Sequence, residues 1–241
     1  LECRCEVALF EDFPAVEWVM HMANLGTEDT PVIDAIRPLD TVSKAEKSLP
    51  CTVHHAKGSD CRLDDFAPLE TPLGPGASMR LAPVLGRSSN GTLPFLNVET
   101  GNRGVIVAIG WSGGWVAEVS RGESGEVRVS AGMEETHLRL HPGESIRTPR
   151  ILLLFWEGDR LEGHNLLRRF ILARHTPRPN GVLLRAPVCH AVWGENRAET
   201  QIAKARWWQE HGIRLDNFWI DAGWYGDAPF KEGSNVFNSQ W

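Results

Sequence analysis

The sequence has very little tyrosine, no excess of basic residues and no long apolar run. Its 241 residues include 1 Tyr against 10 Trp, and its formal net charge at pH 7 is -6. Because phosphate binding needs clustered Lys and Arg, this charge argues against a nucleic-acid partner. The longest apolar segment, 151–156, is far too short to span a bilayer, so no membrane partner is predicted.

The sequence also lacks paired cysteines. The thiols are Cys3, Cys5, Cys51, Cys61 and Cys189, an odd number with no CxxC motif. Cys3 and Cys5 have no nearby partners for a zinc site, so free thiols or one incidental bridge is the simpler interpretation. With no nucleotide or flavin motif either, we expect no metal and no cofactor.

The first residues carry no targeting signal. The chain opens at Leu1 rather than Met, and residues 1–7 have neither a basic flank nor an apolar signal core. We interpret this start as a truncated or processed end. The compartment, cytoplasmic or secreted, therefore stays open.

Residues 1–178 have the pattern of many short strands separated by turn residues. The apolar and alternating segments predict strands at 13–22, 32–36, 104–111, 115–119, 127–131, 136–140 and 151–155. Helical spacing of apolar residues predicts one short helix at 161–174. The architecture that best fits this pattern is a large β-sandwich.

The pattern changes to strand, helix, strand in residues 179–241. Apolar strands at 188–192 and 217–220 flank a helix that Gly212 should end, and its predicted apolar face is Ala198, Ile202, Ala205 and Trp208. A crossover of this length makes the two strands parallel. We therefore predict the first βαβ part of a (β/α)8 TIM barrel, incomplete because a whole barrel needs roughly 250 residues.

The sharpest local feature is the segment 219–226, in which Asp221 ends an apolar strand and glycines and aromatic residues follow. In parallel α/β folds the carboxyl ends of the strands form the ligand face. There Asp221 could accept hydrogen bonds from two adjacent sugar hydroxyls, with Trp224 as an apolar floor and Trp193 facing the same mouth. The residues alone leave it equally open that Asp221 caps a turn and the tryptophans only pack.

These segments, taken in order, resemble the amino-terminal part of glycoside hydrolase clan D, family thirty-six α-galactosidases (melibiases). Segment 219–226 is similar to the family's second barrel strand and the loop after it, and 187–193 is similar to its first strand. Further similar segments are 13–18 with Asn24 and Gly26, 93–95, 110–115, and 142–144 with 147–149. The matches run through nearly the whole chain.

The resemblance implies a retaining hydrolase that releases terminal α-linked galactose, with an α-galactoside oligosaccharide as its substrate. Such enzymes use two carboxylates, and the family carries both on later barrel strands, so no catalytic residue is expected before Trp241. Asp221 takes the position that binds galactose hydroxyls, and Trp193 and Trp224 take positions that line the pocket. Whether the full-length protein forms a homo-oligomer stays open. Ala222 stands where the family often has a second Asp, which leaves the sugar open.

Two other interpretations stay open: a related α-glycosidase such as an α-N-acetylgalactosaminidase, and a non-catalytic carbohydrate-binding β-sandwich. Segment 54–66 contains two His, one Cys and three Asp, but its pattern predicts a turn-rich loop rather than a metal site. Relatives send loops of this domain toward a sugar site, a role that Asp64 or Asp65 could take. His190, inside an apolar strand, is expected to be a core residue.

Overall fold

The computed structural model describes residues 1–192 and 197–221. The chain divides into two compact units, Leu1–His175 and Thr176–Trp241. The strands of the first unit are β1 (Glu2–Leu9), β2 (Ala15–Ala23), β3 (Ile33–Asp34), β4 (Leu39–Ser43), β5 (Cys51–Ala56), β6 (Pro68–Pro72), β7 (Ser78–Leu81), β8 (Phe95–Thr100), β9 (Arg103–Gly110), β10 (Trp115–Arg121), β11 (Val127–Met133), β12 (His137–Leu138), β13 (Ser145–Arg147) and β14 (Arg150–Glu157), and helix α1 (Arg160–Arg174) follows them.

Two large antiparallel sheets and one two-stranded sheet build the first unit, whose residues 1–175 the structure describes throughout. The larger sheet has the strand order β1-β2-β14-β9-β8-β5-β6, with β13 also paired to β2. The smaller sheet has the order β4-β11-β10-β7, and β12 pairs with β3. Strands that are distant in sequence are therefore neighbours in space, as where β14 lies between β2 and β9.

The main core lies between the two sheets, because alternate side chains of both point into it. Val53, Val107 and Ile151 of the larger sheet and Val119 and Ala131 of the smaller sheet are each 0% exposed. They belong to one continuous apolar cluster. Two sheets facing each other across one core is the layered, mostly β arrangement expected for the first part of the chain.

Helix α1 packs on the other face of the larger sheet. It begins at Arg160, and the side chain of the preceding Asp159 caps it by accepting a hydrogen bond from the backbone N–H of Leu161 at 2.8 Å. One of its contacts with the sheet is the indole of Trp156, which is 7% exposed. A Cβ at Gly163 would lie 2.6 Å from that ring and one at Gly104 would lie 2.7 Å from it. Only glycine at these two positions lets helix, indole and sheet approach so closely.

Most of the predicted elements are present. The segments predicted at 13–22, 104–111, 115–119, 127–131 and 151–155 correspond to β2, β9, β10, β11 and β14, and α1 is the predicted helix. The strands predicted at 32–36 and 136–140 are reduced to two residues each, β3 and β12. In the first of them the chain turns at Ala35, whose φ is 48°.

The prediction of a turn-rich loop for 54–66 is wrong at its beginning. His54 and His55 belong to strand β5, which pairs with β6 and β8. The reason is the alternation around Val53, which points into the core while His54 points toward α1. The loop itself begins only after Ala56.

The second unit contains β15 (Cys189–Val192), helix α2 (Ala198–Glu210) and β16 (Asn217–Ile220), after a short 3-10 turn at Pro179–Gly181. Strands β15 and β16 are parallel, with Cys189 opposite Asn217 and Val192 opposite Ile220. This confirms the predicted strand–helix–strand pairing. The complete barrel stays a prediction.

The predicted inner face of α2 needs one correction. Ile202 is 49% exposed, whereas Gln201 is 2% exposed. The face turned inward is therefore 198, 201, 205 and 208, a spacing of three, four and three residues that follows one side of a helix. None of the helices formed by residues 1–192 and 197–221 is long and apolar enough to cross a membrane.

Candidate functional site

Asp221 lies one residue beyond the carboxyl end of β16. Because Val192 and Ile220 are partners in the ladder, the two parallel strands end side by side. Asp221 is exposed at that edge, which is the ligand-binding edge of parallel α/β sheets. The other predicted pocket residues, Trp193 and Trp224, and Ala222 lie outside the described residues.

The opposite ends of the two strands are held together by Asp216. Its side-chain Oδ2 accepts a hydrogen bond from the backbone N–H of Val188 at 2.9 Å. Its own backbone N–H donates to the carbonyl of Val188 at 2.9 Å. These two hydrogen bonds fix the register of β15 and β16, and so they fix the position of Asp221. Asp221 follows Asp216 by five residues, a distance of about 16 Å along an extended strand.

Helix α2 covers one face of this strand pair through His190. The imidazole contacts the ring of Phe218 at 4.8 Å and that of Trp208 at 5.3 Å, both between centroids. His190 thus packs beneath the helix, at the level of the strands and away from their carboxyl ends, which fits the expected core role. The other face carries Trp219, which is 62% exposed.

The two acidic residues predicted as loop contributors lie in the loop that joins β5 to β6. Asp64 forms an ion pair with Lys57. Asp65 accepts hydrogen bonds from the backbone N–H groups of Asp60 at 2.9 Å and Cys61 at 3.1 Å and from the Ser59 hydroxyl at 2.8 Å.

These bonds stabilise the ionised carboxylate of Asp65. The backbone N–H of Asp60, followed by the Ser59 hydroxyl, lowers the pKa of Asp65 below its ordinary value. Asp65 is therefore engaged in shaping its own loop. A contact of Asp64 or Asp65 with a sugar stays a prediction.

A group of polar side chains between α1 and the larger sheet was not predicted from the sequence. We call it the helix–sheet polar cluster; it consists of His54, Glu70, Asn97, Glu99, Trp156, Arg160 and His164. His54 is 8% exposed, and its Nε2 bonds Glu99 Oε2 at 2.6 Å. Arg160 Nη1 donates to His54 Nδ1 at 2.7 Å and also pairs with Glu70. The cluster therefore ties the first turn of α1 to strands β5, β6 and β8.

The inner part of this cluster is a relay of hydrogen bonds. The indole Nε1–H of Trp156 donates to Asn97 Oδ1 at 2.8 Å. Asn97 must then use its Nδ2, and it donates to Nε2 of His164 at 3.0 Å. Since that nitrogen accepts, it carries no proton. Burial, followed by the positive charge of Arg160, lowers the pKa of His164 below its ordinary 6.5.

We expect His164 to make the protein acid-sensitive. Because its pKa is lower in the folded state, the unfolded chain binds more protons once the pH falls below about 6.5, and stability is lost in that window. The variant His164→Gln keeps a hydrogen-bond acceptor for Asn97 but cannot titrate. The free energy of unfolding, measured by chemical denaturation at pH 7.5 and at pH 5.5, should therefore fall less in the variant than in the wild type. We call this decrease the acid loss.

The matched control is His141→Gln. Asp29 raises the pKa of the exposed His141 above its ordinary 6.5, so that residue stabilises the folded state as the pH falls from that raised pKa to about 6.5, an interval above the one in which His164 acts. Its replacement should leave the acid loss unchanged or increase it. An acid loss that is identical in the wild type and in His164→Gln would contradict the role given to His164.

No family model and no curated protein matches this sequence. Solved structures that share its fold include α-galactosidases. Among them is the α-galactosidase of Lactobacillus brevis, which aligns with 93% of this chain and 30% of its own at a TM-score of 0.73 and 16% identity. The galactosidase domain of the α-galactosidase-sucrose kinase AgaSK is a second neighbour, with a TM-score of 0.72 and 20% sequence identity. The alignment covers 92% of this chain and 32% of the AgaSK chain.

A third neighbour is the GH36 α-galactosidase AgaA of Geobacillus stearothermophilus in complex with 1-deoxygalactonojirimycin. It aligns with 92% of this chain and 32% of its own at a TM-score of 0.69 and 20% identity. The chain thus spans about one third of the length of these structures. At such identities the likeness shows the fold, and at that level the resemblance found in the sequence is confirmed.

Proposed function

We propose that this chain is part of a retaining glycoside hydrolase that releases terminal α-linked galactose from oligosaccharides or glycoconjugates. The observation that carries the proposal is the place of Asp221, just past the carboxyl end of the second of two parallel strands, in a chain with an α-galactosidase fold. Structures of AgaA in complex with raffinose and with stachyose favour an oligosaccharide substrate.

In this proposal Asp221 binds the sugar without reacting with it. An exposed carboxylate accepts two hydrogen bonds from neighbouring hydroxyls of one ring, and it discriminates against sugars that place a hydroxyl elsewhere. Trp193 and Trp224 supply the flat apolar surfaces of the pocket. A sugar contact from Asp64 or Asp65 of the β5–β6 loop is a separate part of the proposal.

The nucleophile and the acid/base are proposed to follow Trp241. Retaining hydrolysis needs two carboxylates about 5–5.5 Å apart and no cofactor. Support comes from the strand pair itself, because parallel sheets are normally covered on both faces, whereas here Trp219 is 62% exposed on the face away from α2. Further strands of a barrel would cover that face.

The test begins by translating the coding region past Trp241 and expressing its whole product beside the 241-residue chain. We expect the whole product to hydrolyse an aryl α-galactoside with retention at the anomeric carbon, and the 241-residue chain to show no turnover above a blank. Preference for the aryl α-N-acetylgalactosaminide would favour the related glycosidase. Sugar binding without hydrolysis, or a reading frame that stops at Trp241, would overturn the hydrolase proposal.

A further inference from the structure

Strand β1 is the end strand of the larger sheet, and one of its sides is open. Its eight residues pair one to one with β2 along the other side, from Glu2 opposite Ala23 to Leu9 opposite Val16. Residues 1–7 and Leu9 are all exposed. No strand formed by the described residues pairs with the open side, so this edge presents unpaired backbone N–H and C=O groups to a partner.

The side chains of β1 alternate strictly between its two faces. Cys3, Cys5, Val7 and Leu9 share the face on which Trp18 of β2 enters the main core. Val7 is 58% exposed and Leu9 is 79% exposed. The apolar face of the larger sheet that points toward the main core therefore extends to the edge strand β1, where its side chains are exposed to solvent.

The edge also lacks the usual devices that prevent pairing. Proteins commonly protect an end strand with proline, lysine, a bulge or an inward-pointing charge. Residues 2–9 contain no Pro and no Lys, and their uninterrupted register with β2 contains no bulge. The charged residues Glu2, Arg4 and Glu6 all lie on the face away from the core.

The sequence of β1 is complementary to itself in one antiparallel register. When two copies pair around Cys5, Arg4 of each lies opposite Glu6 of the other, and Cys3 lies opposite Val7. Arg4 and Glu6 already form an ion pair at 2.9 Å within one chain and are 63% and 52% exposed, so both are available to a partner. Opposite charges that face each other across two strands stabilise the pairing, and like charges in the same places destabilise it.

The neighbouring registers are unfavourable. Pairing around Arg4 would place Arg4 against itself and Glu2 against Glu6. Pairing around Glu6 would place Glu6 against itself. A shift by a single residue would set the apolar residues of one copy opposite the charged residues of the other.

We propose that β1 is a homodimer interface, at which the larger sheets of two copies of this chain join into one continuous sheet by antiparallel pairing centred on Cys5. The two-fold symmetry of such a pairing makes every contact away from the axis occur twice, whereas Cys5 faces Cys5 of the other copy once, on the axis. The occupant of the edge is thus a second copy, selected by the Arg4–Glu6 complementarity.

Reversal of charge tests the register directly. In a dilution series followed by analytical ultracentrifugation, the wild-type chain should dimerise, and Arg4→Glu should weaken the dimer at least about tenfold by creating two like-charge pairs. The double variant Arg4→Glu/Glu6→Arg restores both cross-copy pairs and should return the dissociation constant to within about threefold of the wild type. As a matched control, Arg128→Glu breaks the exposed Arg128–Asp40 pair on the smaller sheet and should leave the dimer unchanged.

A disulfide trap tests the centre of the pairing. In antiparallel pairs the opposed Cα atoms lie about 4.5–5.5 Å apart, within the range of a disulfide. All five thiols are free, and four of them are exposed. In the variant Cys3→Ser/Cys61→Ser/Cys189→Ser, diamide should remove the two Cys5 thiol hydrogens and link two chains. In Cys5→Ser/Cys61→Ser/Cys189→Ser, which keeps Cys3, it should not.

Several results would overturn the proposal. A chain that stays monomeric at every concentration has no such interface, whether the edge is bare or covered by another segment of a longer protein. A dimer that Arg4→Glu does not weaken, or that the double variant does not recover, uses a different surface. Equal trapping through Cys3 and Cys5 would show random collision in place of one register.

Discussion

Replacing Asp221 by Asn is expected to lower kcat/KM for an aryl α-galactoside by about 10- to 100-fold in the whole product that contains this chain. The amide has nearly the same shape, but it exchanges one acceptor oxygen for a donor and loses the charge that strengthens hydrogen bonds from sugar hydroxyls. Because the proposal places Asp221 at the ring hydroxyls, at a distance from the reacting bond, we expect both KM and kcat to change. Steady-state kinetics over a range of substrate concentrations measures this effect.

The matched control for Asp221→Asn is Asp216→Asn at the other end of the same strand. The amide introduced there would keep an oxygen that accepts a hydrogen bond from the N–H of Val188. The strands therefore stay joined, and kcat/KM should stay within about threefold of the wild type. Equal losses in the two variants would mean that Asp221 acts on the stability of the strand pair. An unchanged kcat/KM in Asp221→Asn would remove this residue from the site.

The second large effect is expected at Trp156. Its replacement by Ala should cost about 3–5 kcal/mol of unfolding free energy, because a cavity opens between α1 and the larger sheet. The side chain is 7% exposed and fills the space that Gly104 and Gly163 leave empty. The loss also leaves Asn97 Oδ1 without its donor and so weakens the relay to His164. Chemical denaturation followed by circular dichroism measures the change.

Two further variants separate packing from hydrogen bonding at this position. Trp156→Phe keeps an aromatic ring but has no N–H, and it should cost about 1–3 kcal/mol, the penalty of an unsatisfied buried acceptor. Phe155→Ala, at the adjacent residue, removes a side chain that is 50% exposed, so it should cost less than half as much as Trp156→Ala. If Phe155→Ala is as costly as Trp156→Ala, the close approach of the helix is not what stabilises this face.

The strands that could be predicted from the sequence are those with strong apolar patterns. Strands β9 and β14 are nearly continuous apolar runs because the core covers one face and α1 lies against the other. Strand β1 has a clear period of two in residues 2–9 but was not predicted, since its cysteines were interpreted for their chemistry alone. Strand β5 was obscured by polar residues, because His54 and His55 serve hydrogen bonds there in place of apolar packing.

The place of Asp221 was predictable, whereas the helix–sheet polar cluster was not. A residue that follows an apolar strand in a βαβ unit has a known place in space as soon as the strands are parallel. The partners of His54, in contrast, lie 45 residues away at Glu99 and 106 residues away at Arg160. Only the strand order of the larger sheet brings them together, and no local pattern contains that order.

The insertion of β14 between β2 and β9 has a consequence for synthesis on the ribosome. Strand β2 can form a hairpin with β1 at once, and β9 can pair with β8. The other edge of β2 stays open until β13 and β14 emerge, and that of β9 stays open until β14 emerges. At about 5–20 residues per second, the interval from the end of β9 to β14 lasts on the order of seconds. During that time the nascent chain exposes two sheet halves that match β14, so this stage is where chaperone binding would be most needed.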